Sequence, residues 1–100
     1  SANGQNIYPE EVEAVVNSQP YVQESVVVDR ASKLVALVYL DQEALRKDGL
    51  DQEEVSDLPE RIRINSDRQL PNYSQIAKVE IVDQPFEKTP KMSIKRFLYK

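Results

Sequence analysis

The chain has 100 residues, 40% of them hydrophobic, and a formal net charge of −4, which fits one globular domain and not a disordered tail. It contains no cysteine and no histidine, so disulfides, zinc–thiolate sites, cysteine nucleophiles and Ser–His–Asp triads are excluded within it. The sequence has neither an apolar run of the roughly eighteen residues that a transmembrane helix needs nor a signal-peptide pattern at its start. From the absence of cysteine we expect a cytoplasmic protein.

Charge is distributed unevenly along the chain. Residues 1–60 carry 4 Lys/Arg and 13 Asp/Glu, a net of −9, whereas residues 61–100 carry 9 Lys/Arg and 4 Asp/Glu, a net of +5. A nucleic-acid-binding protein is usually basic across a whole face, so we expect no nucleic-acid partner. A basic C-terminal segment on an acidic domain predicts a local anion site.

The first predicted elements are a helix and two strands. The helix begins at Pro9, whose missing N–H needs no partner at that position, and it ends before Pro20. The strands run from Val22 to Asp29 and from Lys33 to Asp41, and the connection between them is short enough for a hairpin. The second run is apolar without interruption, which predicts a central strand covered on both faces.

The middle of the chain is more polar. Residues 42–57 predict a short helix, a turn at Gly49 and the approach to another helix. We expect that second helix from Leu58 to Gln69, with Asp57 as its N-cap and Pro59 in its first turn.

A third strand is predicted from Ile76 to Asp83, where apolar and polar residues alternate. Residues 85–92 are expected to be extended, and Ile94 to Tyr99 to form one or two helical turns with Ser93 as N-cap. The order of elements predicts an α+β fold, a small three-stranded sheet with helices packed on it in a single compact subdomain.

Three segments carry motifs, at residues 4–13, 65–76 and 86–96. Each also has a plain structural interpretation: the first as a helix start, the second as a helix-stop loop and the third as a solvated basic tail. In the last segment we expect Lys88, Lys95 and Lys100 to be solvated. Together and in this order, the segments resemble the C-terminal subdomain of adenylate-forming acyl-CoA synthetases, and most of all the long-chain fatty-acid type. The matching residues are Gly4, Ile7, Pro9, Glu11, Val12 and Glu13; Asn65, Leu70, Pro71, Tyr73 and Ile76; and Phe86, Thr89, Pro90, Ile94, Lys95 and Arg96.

This resemblance implies that residues 1–100 are a mobile lid, whose partner is the N-terminal adenylation domain of the same polypeptide. That domain and the hinge would lie outside this chain. The full enzyme would convert fatty acid and ATP into acyl-adenylate and pyrophosphate, with Mg²⁺ accompanying ATP, and would then use CoA to give acyl-CoA and AMP. We expect the fragment alone to be inactive, to bind none of these molecules and to hold no metal. Any membrane association would come through the missing domain.

The resemblance also implies two site segments. Gly4, Gln5 and Asn6 would form the loop that faces CoA, and Gly4, which lacks a Cβ, would allow a close backbone approach. At the other end, Ser93 occupies the position of the family lysine that meets the carboxylate and phosphate oxygens during adenylation. Serine cannot offset developing negative charge as a cation does, so the catalytic residue is left unassigned. Lys91 is the candidate substitute, because an extended loop would place it on the same face as Ser93.

Two alternatives stay open at this point. One is a free-standing α+β interaction module with no catalytic role. The other is a synthetase in which Ser93 slows adenylation or favours only the thioester half-reaction.

Overall fold

The computed structural model describes residues 6–100 of the chain. Its helices and strands, in chain order, are α1 (Pro9–Asn17), β1 (Val22–Arg30), β2 (Lys33–Leu40), α2 (Gln42–Lys47), α3 (Gln52–Asp67) and β3 (Ile76–Ile81), with 3₁₀ turns at Asn72–Ser74 and Arg96–Leu98. The predicted α+β class and three-stranded sheet are therefore confirmed. No helix among residues 6–100 is long and apolar enough to cross a membrane.

The sheet is mixed and has the strand order β1-β2-β3. β1 and β2 are antiparallel and are joined by a two-residue turn, Ala31 and Ser32, whose φ angles are 54° and 68°. β3 returns parallel to β2 after the crossover through α2 and α3. β2 is thus the central strand, as its uninterrupted apolar run predicts.

Two hydrophobic cores lie on opposite faces of this sheet. The first core packs α1 and α3 against the strands, and its buried members are Val12, Val16, Val27, Leu34, Ala36, Val38, Leu40, Leu58, Ile62, Ile76 and Val79. The second core is covered by the segment that follows β3, and it contains Val26, Val35, Leu37 and Phe86, with Val28, Tyr39, Val82, Ile94 and Tyr99 packed around them. Because β2 contributes to both cores, it needs apolar side chains on both faces.

The prediction for α3 was wrong at its start. The helix begins at Gln52, six residues before the expected position, and Asp51 is its N-cap. The Asp51 side chain accepts the Glu54 N–H at 2.8 Å, and the Glu54 side chain accepts the Asp51 N–H at 3.0 Å. This reciprocal capping box satisfies two N–H groups that otherwise have no partner at a helix start. Asp57 and Pro59 consequently lie inside the helix.

Candidate functional site

Residues 87–95 form a tight β-hairpin, here called the C-terminal hairpin. The Lys95 N–H donates to the Glu87 carbonyl at 2.8 Å, and the Thr89 N–H donates to the Ser93 carbonyl at 2.8 Å. These two bonds flank an antiparallel bridge between Lys88 and Ile94. The expectation that residues 85–92 are extended is therefore wrong at residues 90–92, where the chain reverses direction.

The reversal occurs at a β-turn from Thr89 to Met92. The Met92 N–H donates to the Thr89 carbonyl at 2.8 Å, and the Thr89 hydroxyl accepts the Ser93 N–H at 3.2 Å. Pro90 occupies the second turn position, where its fixed φ fits. Met92 has a φ of 67°, a conformation that usually selects glycine. Ser93 belongs to this hairpin and is not a helix N-cap; the 3₁₀ turn begins at Arg96, after Lys95.

The hairpin has an inner and an outer side. Ile94 packs against the second core, and Lys88 lies opposite it on the same side. Because side chains alternate along a strand, Ser93 faces outward, and it is exposed. Lys91 is exposed at the turn itself and does not follow Ser93 along an extended strand. The stated reason for choosing Lys91 is thus wrong, although its ammonium and Ser93 belong to the same exposed tip.

Glu24 on β1 anchors the first arm of the hairpin. Its carboxylate accepts the Phe86 N–H at 2.9 Å and pairs with the Lys88 ammonium at 2.8 Å. The Lys88 ammonium also donates to the Phe86 carbonyl at 2.9 Å. Lys88 is therefore held in a partly buried ion pair, and the prediction that it is solvated was wrong.

Glu13 on α1 anchors the chain just after the second arm. Its side chain is buried, and one oxygen accepts both the Val27 N–H at 2.7 Å and an Arg96 guanidinium N–H at 2.7 Å. The other oxygen accepts the second terminal N–H group of Arg96. The hydrogen bond to Glu13 raises the pKa of Arg96 above its ordinary value, so the guanidinium stays charged.

Aromatic packing holds the same segment on the sheet. The rings of Phe86 and Tyr99 meet edge to face, with centroids 4.9 Å apart and an interplanar angle of 87°. The Tyr99 hydroxyl accepts the Glu87 N–H at 2.8 Å. Arg30 on β1 donates to the Lys100 carbonyl at 2.6 Å. Polar and apolar contacts together fix the start, both arms and the end of the segment.

These contacts explain part of the charge asymmetry along the sequence. Lys88 and Arg96, from the basic half, are paired with Glu24 and Glu13 from the acidic half. Sequence reasoning named Glu13 only as a motif residue at the start of α1 and did not single out Glu24, although the opposite charges of the two halves are the signal that could have suggested such pairs. Within residues 6–100, the Lys91 ammonium lies within 4 Å of no carboxylate, so it is available to an external anion.

The loop that precedes α1 lies apart from the C-terminal hairpin, against the loop after α3. Gly4 and Gln5 fall outside the described residues, and Asn6 is exposed. Asn6, Ile7 and Tyr8 line a groove of about 220 Å³ against the loop after α3, which contributes Gln69, Leu70, Pro71, Tyr73 and Ser74.

The loop after α3 positions β3, as expected from its helix-stop pattern. The Asp67 carboxylate accepts the Ile76 N–H at 2.8 Å, which joins the end of α3 to the start of the strand. The Gln75 amide donates to the Leu70 carbonyl at 2.8 Å and to the Asp67 carbonyl at 3.0 Å.

Among residues 6–100, no three acidic side chains are grouped as metal ligands. Arg63 on α3 is paired with Glu60 and Asp67 on the same helix, three and four residues away, which stabilises the helix.

Comparison with protein families gives one match, to a family described as the AMP-binding enzyme C-terminal domain, over residues 1–99. The chain belongs to this family. Comparison with curated protein sequences finds no match.

This AMP-binding enzyme C-terminal domain also resembles part of each of several solved structures. The acyl-CoA synthetase of Brucella canis is 27% identical to this chain with a TM-score of 0.70. The match covers 95% of this chain and 17% of that protein. The benzoate CoA ligase of Burkholderia xenovorans is 26% identical to this chain with a TM-score of 0.70, and the match covers 95% of this chain and 18% of that protein. The fatty acyl CoA synthetase of Mycobacterium tuberculosis is 21% identical to this chain with a TM-score of 0.66, and the match covers 95% of this chain and 17% of that protein. At this level of identity, the match shows the fold alone. The chain therefore spans less than a fifth of each of these proteins.

Proposed function

We propose that this domain is the mobile C-terminal lid of an ATP-dependent acyl-CoA ligase, with a large N-terminal adenylation domain in the same polypeptide. The observation that carries the proposal is the C-terminal hairpin, which presents an exposed tip on a rigidly anchored base in a domain of this family. The lid would present the hairpin tip for adenylation and the Gly4–Asn6 loop for thioester formation, by moving between two poses. The encoding reading frame is expected to continue upstream of Ser1 into a domain with a Ser/Thr/Gly-rich phosphate loop.

Fatty acids are the acyl substrates that we propose, because the Phe86–Arg96 segment resembles the long-chain type. Assay of the full-length protein with fatty, aromatic and dicarboxylic acids tests this choice. Faster acyl-CoA formation with benzoate than with any fatty acid would contradict it.

Lys91 is proposed as the cation that meets the adenylate phosphate in place of the lysine absent at position 93. A positive charge at the site of developing phosphate charge stabilises the transition state, and removing such a group typically costs about a hundredfold in rate. Since Lys91 lies two positions before the family lysine's place at Ser93, we expect a smaller effect, with Lys91→Ala slowing ATP–pyrophosphate exchange at least about tenfold. Ser93→Lys is expected to raise the same rate.

Lys47→Ala is the matched control, because Lys47 is an exposed lysine on α2, away from the hairpin. It should leave the exchange rate unchanged. If Lys91→Ala behaves like Lys47→Ala, Lys91 is not the substitute. ATP–pyrophosphate exchange by the isolated 100-residue chain would contradict the lid function itself.

The thioester step has its own test. Gly4→Ala places a methyl group on the loop proposed to meet the pantetheine arm of CoA. We expect it to slow acyl transfer to CoA while adenylation keeps its rate. Equal slowing of both half-reactions would contradict a CoA-facing role for this loop.

A further inference from the structure

Glu13 is a buried carboxylate that joins three distant parts of the chain. It lies on α1, 5% exposed, and accepts hydrogen bonds from the backbone of β1 at Val27 and from Arg96, 83 residues further along the sequence. Removing a carboxylate from water is unfavourable unless charged partners and hydrogen bonds replace the lost hydration. The planar guanidinium, which donates from two nitrogen atoms, supplies that replacement in a fixed orientation.

The position of this pair in the chain gives it a mechanical consequence. Arg96 follows directly after the C-terminal hairpin, and Glu13 follows the loop before α1 within about one helical turn. The ion pair therefore ties together the bases of two exposed segments. The Lys88–Glu24 pair ties the other arm of the hairpin to β1, so each arm has its own anchor.

Apolar packing alone leaves the orientation of the hairpin weakly determined. Of the hairpin residues 87–95, Ile94 is the member that packs against the second core, while the turn residues Pro90, Lys91 and Met92 are exposed. One apolar contact can act as a pivot, whereas a bidentate ion pair on one arm and a second pair on the other restrict rotation. An ion pair with one buried partner is weak evidence for stability, whereas its bidentate geometry restricts orientation.

We propose that Glu13 is a positioning residue, which acts through Arg96 to hold the C-terminal hairpin in a fixed orientation relative to the loop before α1. The hairpin and residues 6–8 then move with the domain as one rigid body. The effect of this rigidity on the reaction rests on the proposed lid function, but the rigidity itself does not.

The rigidity is tested by amide hydrogen exchange on this chain. Glu13→Gln keeps the side-chain volume and an oxygen that can accept the Val27 N–H, and it removes the charge that pairs with Arg96. We expect the Thr89 and Lys95 amides of the hairpin to exchange at least about tenfold faster, while amides in β2 keep their protection. Unchanged exchange at Thr89 and Lys95 would overturn the proposal, and so would equal acceleration in β2.

Glu60→Gln is the matched control, because Glu60 is an ion-paired carboxylate on α3 whose partner, Arg63, lies on the same helix. It should leave the Thr89 and Lys95 amides unchanged. If Glu13→Gln does not fold, the series Arg96→Lys and Arg96→Ala replaces it. Lysine retains one charged contact without the fork, so hairpin exchange should rise from arginine to lysine to alanine; a flat series overturns the proposal.

The link to the reaction is tested in the full-length protein. Glu13→Gln should lower kcat of both half-reactions about tenfold while KM for ATP and for CoA stays within about twofold, because positioning is lost and substrate contacts are kept. Arg96→Lys should recover part of the kcat lost in Arg96→Ala. If the unmodified protein performs neither half-reaction, the proposed function fails, and hydrogen exchange still decides the role of Glu13. Activity in the unmodified protein with unaltered kcat in Glu13→Gln overturns the positioning role.

Discussion

Phe86 and Phe97 are the two phenylalanines of the chain, and replacing each by alanine measures how far the second core stabilises the fold. Phe86 is 3% exposed and lies among Val26, Val35 and Leu37 with its ring edge to face against Tyr99. Phe97, eleven positions later, is 74% exposed. The two substitutions remove the same atoms from opposite environments.

The expected loss for Phe86→Ala is about 3–5 kcal/mol, since a buried phenylalanine removed from a packed core loses its transfer free energy and leaves a cavity. The edge-to-face contact with Tyr99 contributes about 0.5–1.5 kcal/mol of that sum. A domain of this size has a total stability of only about 5–15 kcal/mol. Phe97→Ala should change the free energy of unfolding by less than about 0.5 kcal/mol.

Urea unfolding followed by circular dichroism measures both changes. With a slope of about 1–1.5 kcal/mol per molar urea, Phe86→Ala should lower the midpoint by at least about 2 M. Phe86→Leu, which keeps most of the apolar volume, provides a milder variant if the alanine form is unfolded. Equal midpoints for Phe86→Ala and Phe97→Ala would refute the placement of residues 82–99 over the sheet.

Three further predictions concern local structure and pH. Asp51→Ala should lower the free energy of unfolding by about 1 kcal/mol through loss of the capping box. Asp57→Ala, inside α3, should lower it by less than half as much. Urea midpoints that rank the two variants in the reverse order would contradict the observed helix start. Replacing Ala31 and Ser32 together by Asn and Gly should raise stability by about 1 kcal/mol in thermal unfolding, because both positions have positive φ, and a lower melting temperature would count against that backbone conformation. Hydrogen bonding to Lys78, together with the charge of Arg30, holds the pKa of Glu80 below its ordinary 4.5, so its stabilising contribution is present above that pH and is lost as the pH falls through the lower folded-state pKa. Glu80→Gln should therefore be less destabilised by acid than the parent chain, and parallel curves of melting temperature against pH between about pH 3 and 6 would show that Glu80 does not contribute.

Local signals were sufficient for the elements whose sequence and packing agree. Pro9 marks the start of α1 because proline fits the first helical position, and the apolar run of β2 reflects its contact with both cores. The start of α3 was missed because Pro59 resembles a first-turn proline, while the Asp51–Glu54 spacing of a capping box was the stronger signal. Burial of Leu58 and Ile62 keeps the helix continuous past the proline.

The candidate site was less predictable because its geometry depends on contacts between distant residues. Met92 gives no glycine-type turn signal, so the sequence does not reveal the reversal at the hairpin tip. Glu13 and Arg96 are 83 positions apart, and charge asymmetry indicates that such pairs exist without saying which residues form them. The motif residues themselves, Thr89-Pro90 and Ile94-Lys95-Arg96, do lie in one hairpin and the turn that follows it.

The second core also sets a constraint on synthesis. Val26, Val35 and Leu37 leave the ribosome 49 to 73 residues before Phe86 and Tyr99, which cover them. Until those later residues emerge, one apolar face of the nascent sheet is exposed to solvent and can associate with other chains. The same residues that support the exposed hairpin thus complete the fold as the last part of this domain is synthesised.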